Sequence, residues 1–301
     1  MRYLIIGYGN IGQKREAILG KNCVAVVDPV HPGAHFNNFK DVPFSEYDAA
    51  VLATPNSVKL EILEYLIKNK KNVLVEKPLL FPDFAVADKL DQISKKNKVI
   101  WYTSYNHRFE PLIVKIKENL DSNLIGEIFF ANFIYGNGTV QNTIGTWRDE
   151  GGGVLDDLGG HLIDLAGLLF QKEINYRIIT AHNYEAKQID HCSFSSTDGK
   201  MTFTCSYLMW KNTFNIDIYG SKGSIHLDGL NKWGSTSLTH RERIFPSGVP
   251  LEKNESTLGS DETWRDDFLY FEKMVSEQKN SLENDIMISK SIDTIMSMKN
   301  I

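Results

Sequence analysis

The segment "GGGVLDDLGGHLIDL", residues 151–165, sets three aspartates and a histidine among five glycines and an apolar repeat. On a helix beginning near Gly153, the residues Leu155, Leu158, Leu162, Leu165, Ala166 and Leu169 form one stripe, the spacing of a core-facing surface. Asp157, His161 and Asp164 fall in a different sector, because residues three and four apart are neighbours on a helix. A carboxylate four residues from an imidazole steadies its charged form and fixes its orientation, which suits a proton acceptor. Asp156 points elsewhere and reads as a helix-start residue favoured by the macrodipole. Taken alone, such a pair is more often structural than catalytic, so the rest of the chain has to decide.

Three further stretches supply chemistry. "IIGYGNIG" places Gly7, Gly9 and Gly12, with Asn10 and Ile11 between them, after an apolar run and at the mouth of an expected helix. Glycine suits that place because a side chain would block the tight turn and the approach of a pyrophosphate to the helix N-terminus. Asp28 follows Gly7 by 21 residues, about the spacing of a carboxylate that binds ribose hydroxyls and repels a 2′-phosphate. NAD is therefore expected over NADP; the bland alternative is a glycine turn that only packs helix on strand. "ATPN" puts Thr54, Pro55 and Asn56 at the carboxyl edge of the same sheet, bordering the cofactor, unless Asn56 or Ser57 merely caps a helix. "VEKP" sets Glu76 and Lys77 at the end of another strand, where a lysine near a nicotinamide can polarise or deprotonate a substrate oxygen. A surface lysine before a turn is the alternative there. Lys14 and Arg15 read as a solvated helix face.

These residues need elements to hold them. Apolar runs at 3–7, 23–28, 49–55, 72–78 and 98–104 alternate with helical periodicity at 10–20, 57–70 and 83–98, which implies a parallel, doubly wound α/β sheet. Beyond about residue 105 a helix at 109–120 leads to strands at 126–136, 176–184, 189–197, 200–209, 213–219 and 223–228. Their period-two alternation and turn pairs such as "TDGK" and "GSKG" signal antiparallel hairpins. Residues 261–277 and 285–299 look helical, and 246–260, rich in Pro, Gly and Ser, reads as a loop. The expected organisation is a Rossmann domain over 1–105 and an α+β domain with a large open, mostly antiparallel sheet over 106–301, whose C-terminal helix is free to pack back on the first.

Composition sets the bounds. With 301 residues, 42% of them hydrophobic, the chain can bury real cores. A net charge of −5 offers no basic stripe for nucleic acid. The N-terminal apolar run, Leu4 to Ile6, is too short for a signal core or a membrane span, so a cytoplasmic location is expected. Cys23, Cys192 and Cys205 are widely spaced, with no CxxC pair, and read as small buried residues; His191 beside Cys192 faces the other side of a strand, and no metal is expected.

Together "GYGNIG", "ATPNSVKLEILEYLIKNKKNVLVEKPL", "YNHRFEP", "GGGVLDDLGGHLIDL" and "IYGSKGSIHLD" resemble the glucose-fructose oxidoreductase, inositol dehydrogenase and rhizopine-catabolism protein family, Gfo/Idh/MocA, from residue 1 to about 230. The resemblance implies an NAD(P)-dependent dehydrogenase or reductase acting on a small sugar-like alcohol or ketone, such as a sugar, cyclitol or nucleotide sugar. It implies a homodimer or homotetramer formed through the open sheet. The family's lysine falls on Lys77, and its aspartate and histidine on Asp157 and His161, which fits His161 as proton acceptor with Asp157 and Lys77 assisting. Family members often carry histidine where Lys59 stands, which leaves the cofactor pocket open in detail, and the chain is shorter than most relatives. Asn106, Arg108, Trp147 and Arg148 are candidates for the substrate rim, Arg148 for an anionic group. Competing readings are a reductase of a non-sugar compound of the dihydrodiol or tetrapyrrole type, and a catalytically silent NAD(P)-sensing regulator; the intact trio argues against the second.

Overall fold

The computed structural model describes residues 1–259 and 261–298. The chain divides into two units: residues 1–106 with 264–289, and residues 107–263 with the described residues from 290 onward. No helix among the described residues is long and apolar enough to cross a membrane.

In the first unit β1 (Tyr3–Ile6), β2 (Cys23–Val27), β3 (Ala49–Leu52), β4 (Asn72–Glu76) and β5 (Trp101–Ser104) alternate with α1 (Asn10–Leu19), α2 (Asn56–Lys68) and α3 (Phe84–Asn97). The sheet is parallel throughout, in the order β2-β1-β3-β4-β5. Every residue of β1, β3 and β5 is buried, which is why these strands read as unbroken apolar runs rather than alternations. Chain direction across the sheet reverses beside β1, so the crevice at the carboxyl ends of β1 and β3 is the place where this topology receives ligands.

The second unit carries α4 (Pro111–Asp121), β6 (Ile128–Gly136), α5 (Val140–Thr143) and α6 (Gly160–Phe170), then seven strands: β7 (Tyr176–His182), β8 (His191–Ser196), β9 (Met201–Ser206), β10 (Thr213–Gly220), β11 (Gly223–Asp228), β12 (Thr236–Glu242) and β13 (Leu251–Thr257). They form a sheet of eight strands, in the order β13-β12-β11-β10-β6-β9-β8-β7, antiparallel except between β6 and β9. Stacked Phe133, Phe203 and Phe194, with centroids 4.9 and 4.8 Å apart, mark the buried face, on which α6 packs.

The reading of 246–260 as a loop is corrected by β13. This strand pairs with β12 along its length, with Arg241 Nε 2.7 Å from Glu252 Oε1 across the pair. It escapes a hydrophobic pattern because, as an edge strand, it is exposed along nearly its whole length and has no buried face to alternate with.

α7 (Thr263–Glu277) and α8 (Leu282–Ser297) follow, and the first unit takes in α7 from Trp264 and α8 as far as Ser289. The first sheet has two apolar faces. Leu4, Ile6, Leu52 and Val75 face α2 and α3, whereas Tyr3, Ile5, Val51 and Leu74 meet Phe268, Phe271 and Met274 of α7. Ser289 Oγ accepts from the Phe81 N–H at 3.0 Å, and Asp285 accepts from the Trp101 indole at 2.9 Å. A buried parallel sheet needs cover on both sides, and α7 supplies part of the second.

Candidate active site

The first unit's candidate residues gather at the carboxyl ends of β1–β4. Gly7 adopts φ +93°, and a Cβ there would lie 2.4 Å from the Ala53 carbonyl oxygen; one on Gly12 would lie 2.1 Å from the Gly7 oxygen. Both positions therefore require glycine for the turn and for close helix–strand packing. Gly9 differs, since a Cβ there would meet nothing within 4 Å. It opens α1 with no side-chain cap, so the first N–H groups of the helix, from Asn10 and Ile11 onward, border open space. Thr54 follows Ala53, and its enclosed hydroxyl has no partner among the described residues. A pyrophosphate fits this cradle, which meets it with a bare glycine, uncapped amides and an orphaned hydroxyl.

Asp28 closes β2. Partial burial pushes its carboxyl up, but backbone N–H groups of Tyr8, Val30 and His31, each at 2.9 Å, hold it below its ordinary value. The carboxylate ties the glycine turn to the end of β2, where a ribose would sit.

Neither Asn56 nor Ser57 caps α2, whose N-cap is Pro55. Asn56 Oδ1 instead accepts from Lys59 Nζ at 2.8 Å. Lys59, buried, also donates to the backbone oxygens of Glu76 (2.6 Å), Lys77 (3.2 Å) and Pro78 (2.8 Å). One ammonium thus fixes the peptide run that presents Lys77, itself half-buried.

Arg15 is not solvated. Its guanidinium is fully buried, with Nε 2.7 Å from Glu76 Oε1 and Nη2 2.8 Å from Asp267 Oδ2. Burial pulls its pKa down, but Glu76 and Asp267 together hold it above the ordinary value. Glu76, expected at the cofactor, thus has its carboxylate engaged by Arg15, and burial pushes that carboxyl up against the arginine's opposing pull. The helical stripe around Arg15 gave no sign of this, because Asp267 lies about 250 residues away.

In the second unit the "GGGVLDDLGG" run is not a plain α-helix. Leu155–Gly159 forms a π-helical turn that feeds α6. Its glycines answer to close approach: a Cβ on Gly153, at φ +59°, would lie 2.3 Å from the Ile189 oxygen, and one on Gly159 would lie 2.7 Å from Leu155 Cδ1. Asp156 Oδ2 accepts from the Gly152 N–H at 2.9 Å, closing the turn before the helix. The expected division into an apolar stripe and a separate polar sector is replaced by burial all round: Asp157, His161 and Asp164 are as enclosed as the leucines. Each polar residue accordingly has its own partners. Asp157 Oδ2 accepts from Arg148 Nε at 3.0 Å and from the Tyr207 hydroxyl at 3.1 Å, and Asp164 Oδ2 accepts from Arg108 Nε at 2.8 Å. Burial, and then the Asp157 charge, drives the Tyr207 phenol well above its ordinary range, so it stays a donor.

His161 lies against aromatic groups absent from the sequence reading. Its ring stacks on His107 with centroids 4.1 Å apart, and Tyr135 lies 5.9 Å away. Tyr135 Oη is 3.1 Å from His107 Nε2 and accepts from Lys232 Nζ at 2.9 Å. His107 stands inside "YNHRFEP", one residue from two candidates, and that adjacency was its only sequence signal. Tyr135 on β6 and Lys232 after β11 had none, because they meet across the intervening β10 and are far apart in sequence. Arg148 also lies over the Trp147 ring, 4.7 Å from its centroid. Asn106, buried, is the last residue of the first unit before that unit's return at 264.

Comparison with known proteins agrees with this architecture. Residues 1–105 match the model of an oxidoreductase family with an NAD-binding Rossmann fold, and residues 113–226 match that of the GFO/IDH/MocA C-terminal domain. Oxidoreductase P35 of Formosa agariphila is 26% identical over 215 residues, covering 69% of this chain and 63% of that protein. The scyllo-inositol 2-dehydrogenase (NAD(+)) of Bacillus subtilis is 25% identical over 195 residues, 58% of this chain and 55% of that one. These matches thus span less than two thirds of either relative. Among solved structures, levoglucosan dehydrogenase in complex with NADH and levoglucosan superposes with a TM-score of 0.83 at 17% identity, over 100% of this chain and 97% of that one. A 3-ketoreductase from Actinomadura kijaniata, in complex with TDP-benzene and NADP, gives 0.80 at 16% identity, over 99% and 97%.

Proposed function

This chain belongs to the GFO/IDH/MocA oxidoreductases, and from that membership we propose that it oxidises or reduces a sugar-like alcohol or ketone with NAD as its partner. The observation that carries the reading is the setting of His161: an enclosed imidazole stacked on His107, four residues beyond a carboxylate that Arg148 and Tyr207 hold in place. When bound, the nicotinamide accepts or returns the hydrogen of the carbinol carbon with its electron pair. The chain's own task is then the hydroxyl proton.

His161 takes that proton on oxidation and gives it back on reduction. The imidazolium so formed is stabilised by the Asp157 carboxylate, which Arg148 and Tyr207 hold by two hydrogen bonds. In the first unit Lys77 is the candidate donor to a substrate oxygen, and Lys59 positions it by holding the backbone on both sides. Arg108, Trp147 and Arg148 border the substrate, Arg108 anchored by Asp164. Gly9, Asn10, Ile11 and Thr54 receive the pyrophosphate, and Asp28 the ribose, which disfavours a 2′-phosphate there.

The test is to titrate NAD and NADP into the protein, then follow absorbance of the reduced cofactor with free sugars, cyclitols and nucleotide sugars. Binding of NAD with turnover of at least one of them is expected. Absence of dinucleotide binding would overturn the reading.

A further inference from the structure

We propose that Lys232 and Arg148 form an anion-binding subsite beside His161, so that the substrate of the proposed redox reaction carries a carboxylate or phosphate group. This rests on the oxidoreductase reading, and it assigns what that reading leaves open, the charge class of the substrate.

Each of the two cations binds a neighbour of His161. Lys232 Nζ reaches Tyr135 Oη at 2.9 Å, and Tyr135 lies against both His107 and His161. Arg148 Nε reaches Asp157 at 3.0 Å, one helical turn before His161. Both cations have hydrogen-bonding capacity left over. The Lys232 ammonium has three donors, of which one goes to Tyr135, and among the described residues it has no carboxylate within ion-pair distance. Arg148 engages Asp157 through Nε, and its two terminal nitrogens donate to no described group.

Lys232 is exposed, with the Tyr135 and Trp233 ring centroids 5.4 and 4.9 Å from its ammonium. Desolvation pulls its ammonium below the ordinary value, and Arg148 adds to this, against the opposing pulls of Asp261, Asp157 and Glu110. None of the three acids neutralises it directly. Asp157 is held by Arg148 and Tyr207, Asp261 accepts from the Thr263 hydroxyl, and the Glu110 carboxyl is pushed up to about 7 by burial. An incoming anion would find two donors already oriented, because Lys232 stacks over Trp233 at 4.9 Å and Arg148 over Trp147 at 4.7 Å. Their order is set before binding, so less side-chain entropy is lost on contact.

The experiment is calorimetric titration of the protein saturated with NADH. The probes are D-glucuronate, D-galacturonate and D-glucose 6-phosphate, each beside its neutral parent sugar, on wild type and on Lys232→Gln, at low and high salt. At least one acid should bind about tenfold tighter than its parent, as one charge-assisted contact permits. Lys232→Gln should remove that preference while leaving the affinity for the neutral sugar and for NADH unchanged, and high salt should weaken the acid alone. Response to the uronates only assigns a carboxylate, and response to glucose 6-phosphate only assigns a phosphate. The proposal is overturned if no acid binds tighter than its parent, or if the preference survives Lys232→Gln. Failure of NADH to bind, seen in the first titration, sinks the redox reading separately, and the same sugar titrations without cofactor still read the anion subsite.

Discussion

The imidazoles of His107 and His161 lie stacked, their centroids 4.1 Å apart and their planes 25° from parallel. Tyr135 Oη accepts from Lys232 Nζ and lies 3.1 Å from His107 Nε2, so one phenol links the ammonium to the stacked imidazole. His107 is thus a positioning residue that walls His161 on one side. Replacing it by leucine removes both the ring and the contact with Tyr135. kcat should fall by about tenfold or more, corresponding to roughly 1.4 kcal/mol, with NADH affinity intact. His107→Phe, which keeps a ring, should recover part of the loss in kcat. Equal activity in all three proteins would show that the stack does nothing for His161.

Asp28 predicts cofactor choice. Asp28→Ser should raise the affinity for NADP relative to NAD, because the charge opposed to a 2′-phosphate is gone. It should also loosen the turn, since Tyr8, Val30 and His31 lose their acceptor. Paired titrations of the two cofactors check the first effect; an unchanged NADP-to-NAD ratio would mean that Asp28 only braces the turn.

Lys59 predicts a coupled loss of stability and activity. Methionine there leaves the Glu76, Lys77 and Pro78 carbonyls without their shared donor. The cost should be about 2–4 kcal/mol in urea unfolding, on the scale of buried groups left unsatisfied. Under conditions where the variant is still folded, kcat should fall more than KM rises, since the loss is in the placement of Lys77. A variant with full stability and normal kcat would contradict this.

Glu110 predicts a pH dependence of stability. Desolvation raises its carboxyl from 4.5 to about 7, against the Asn231 N–H and Lys232, which favour the charged form. Its folded pKa lies above the unfolded one, so stability is full at low pH, falls as pH rises from 4.5 to about 7, and is level above. Glu110→Gln should therefore stabilise the protein by up to about 3 kcal/mol at pH 8 and by little at pH 5. Urea midpoints at the two pH values measure it, and an equal shift at both would contradict the burial argument.

How much of this was legible in the sequence depends on what each residue leans on. The first sheet announced itself because strands buried on both faces must be apolar throughout, and β1, β3 and β5 are. His161, Asp157 and Lys77 could be singled out as candidates through local patterns, the glycine run and "VEKP". Arg15, Tyr135, Tyr207 and Lys232 were not, since burial of a charge or the meeting of two distant strands leaves no local period. The same holds for β13, whose exposed edge carries no alternation. The π-helical turn was hidden for a different reason: one extra residue in a turn does not change which residues are apolar, only where they point.

The measurement that bears most directly on the proposed chemistry is steady-state turnover of His161→Ala on any sugar the wild type accepts, paired with its NADH dissociation constant. A loss of about 10²–10⁴ in kcat, the usual contribution of a positioned acid or base, with NADH binding unchanged, is the predicted result. Near-normal kcat in His161→Ala would contradict the assignment of the proton to His161.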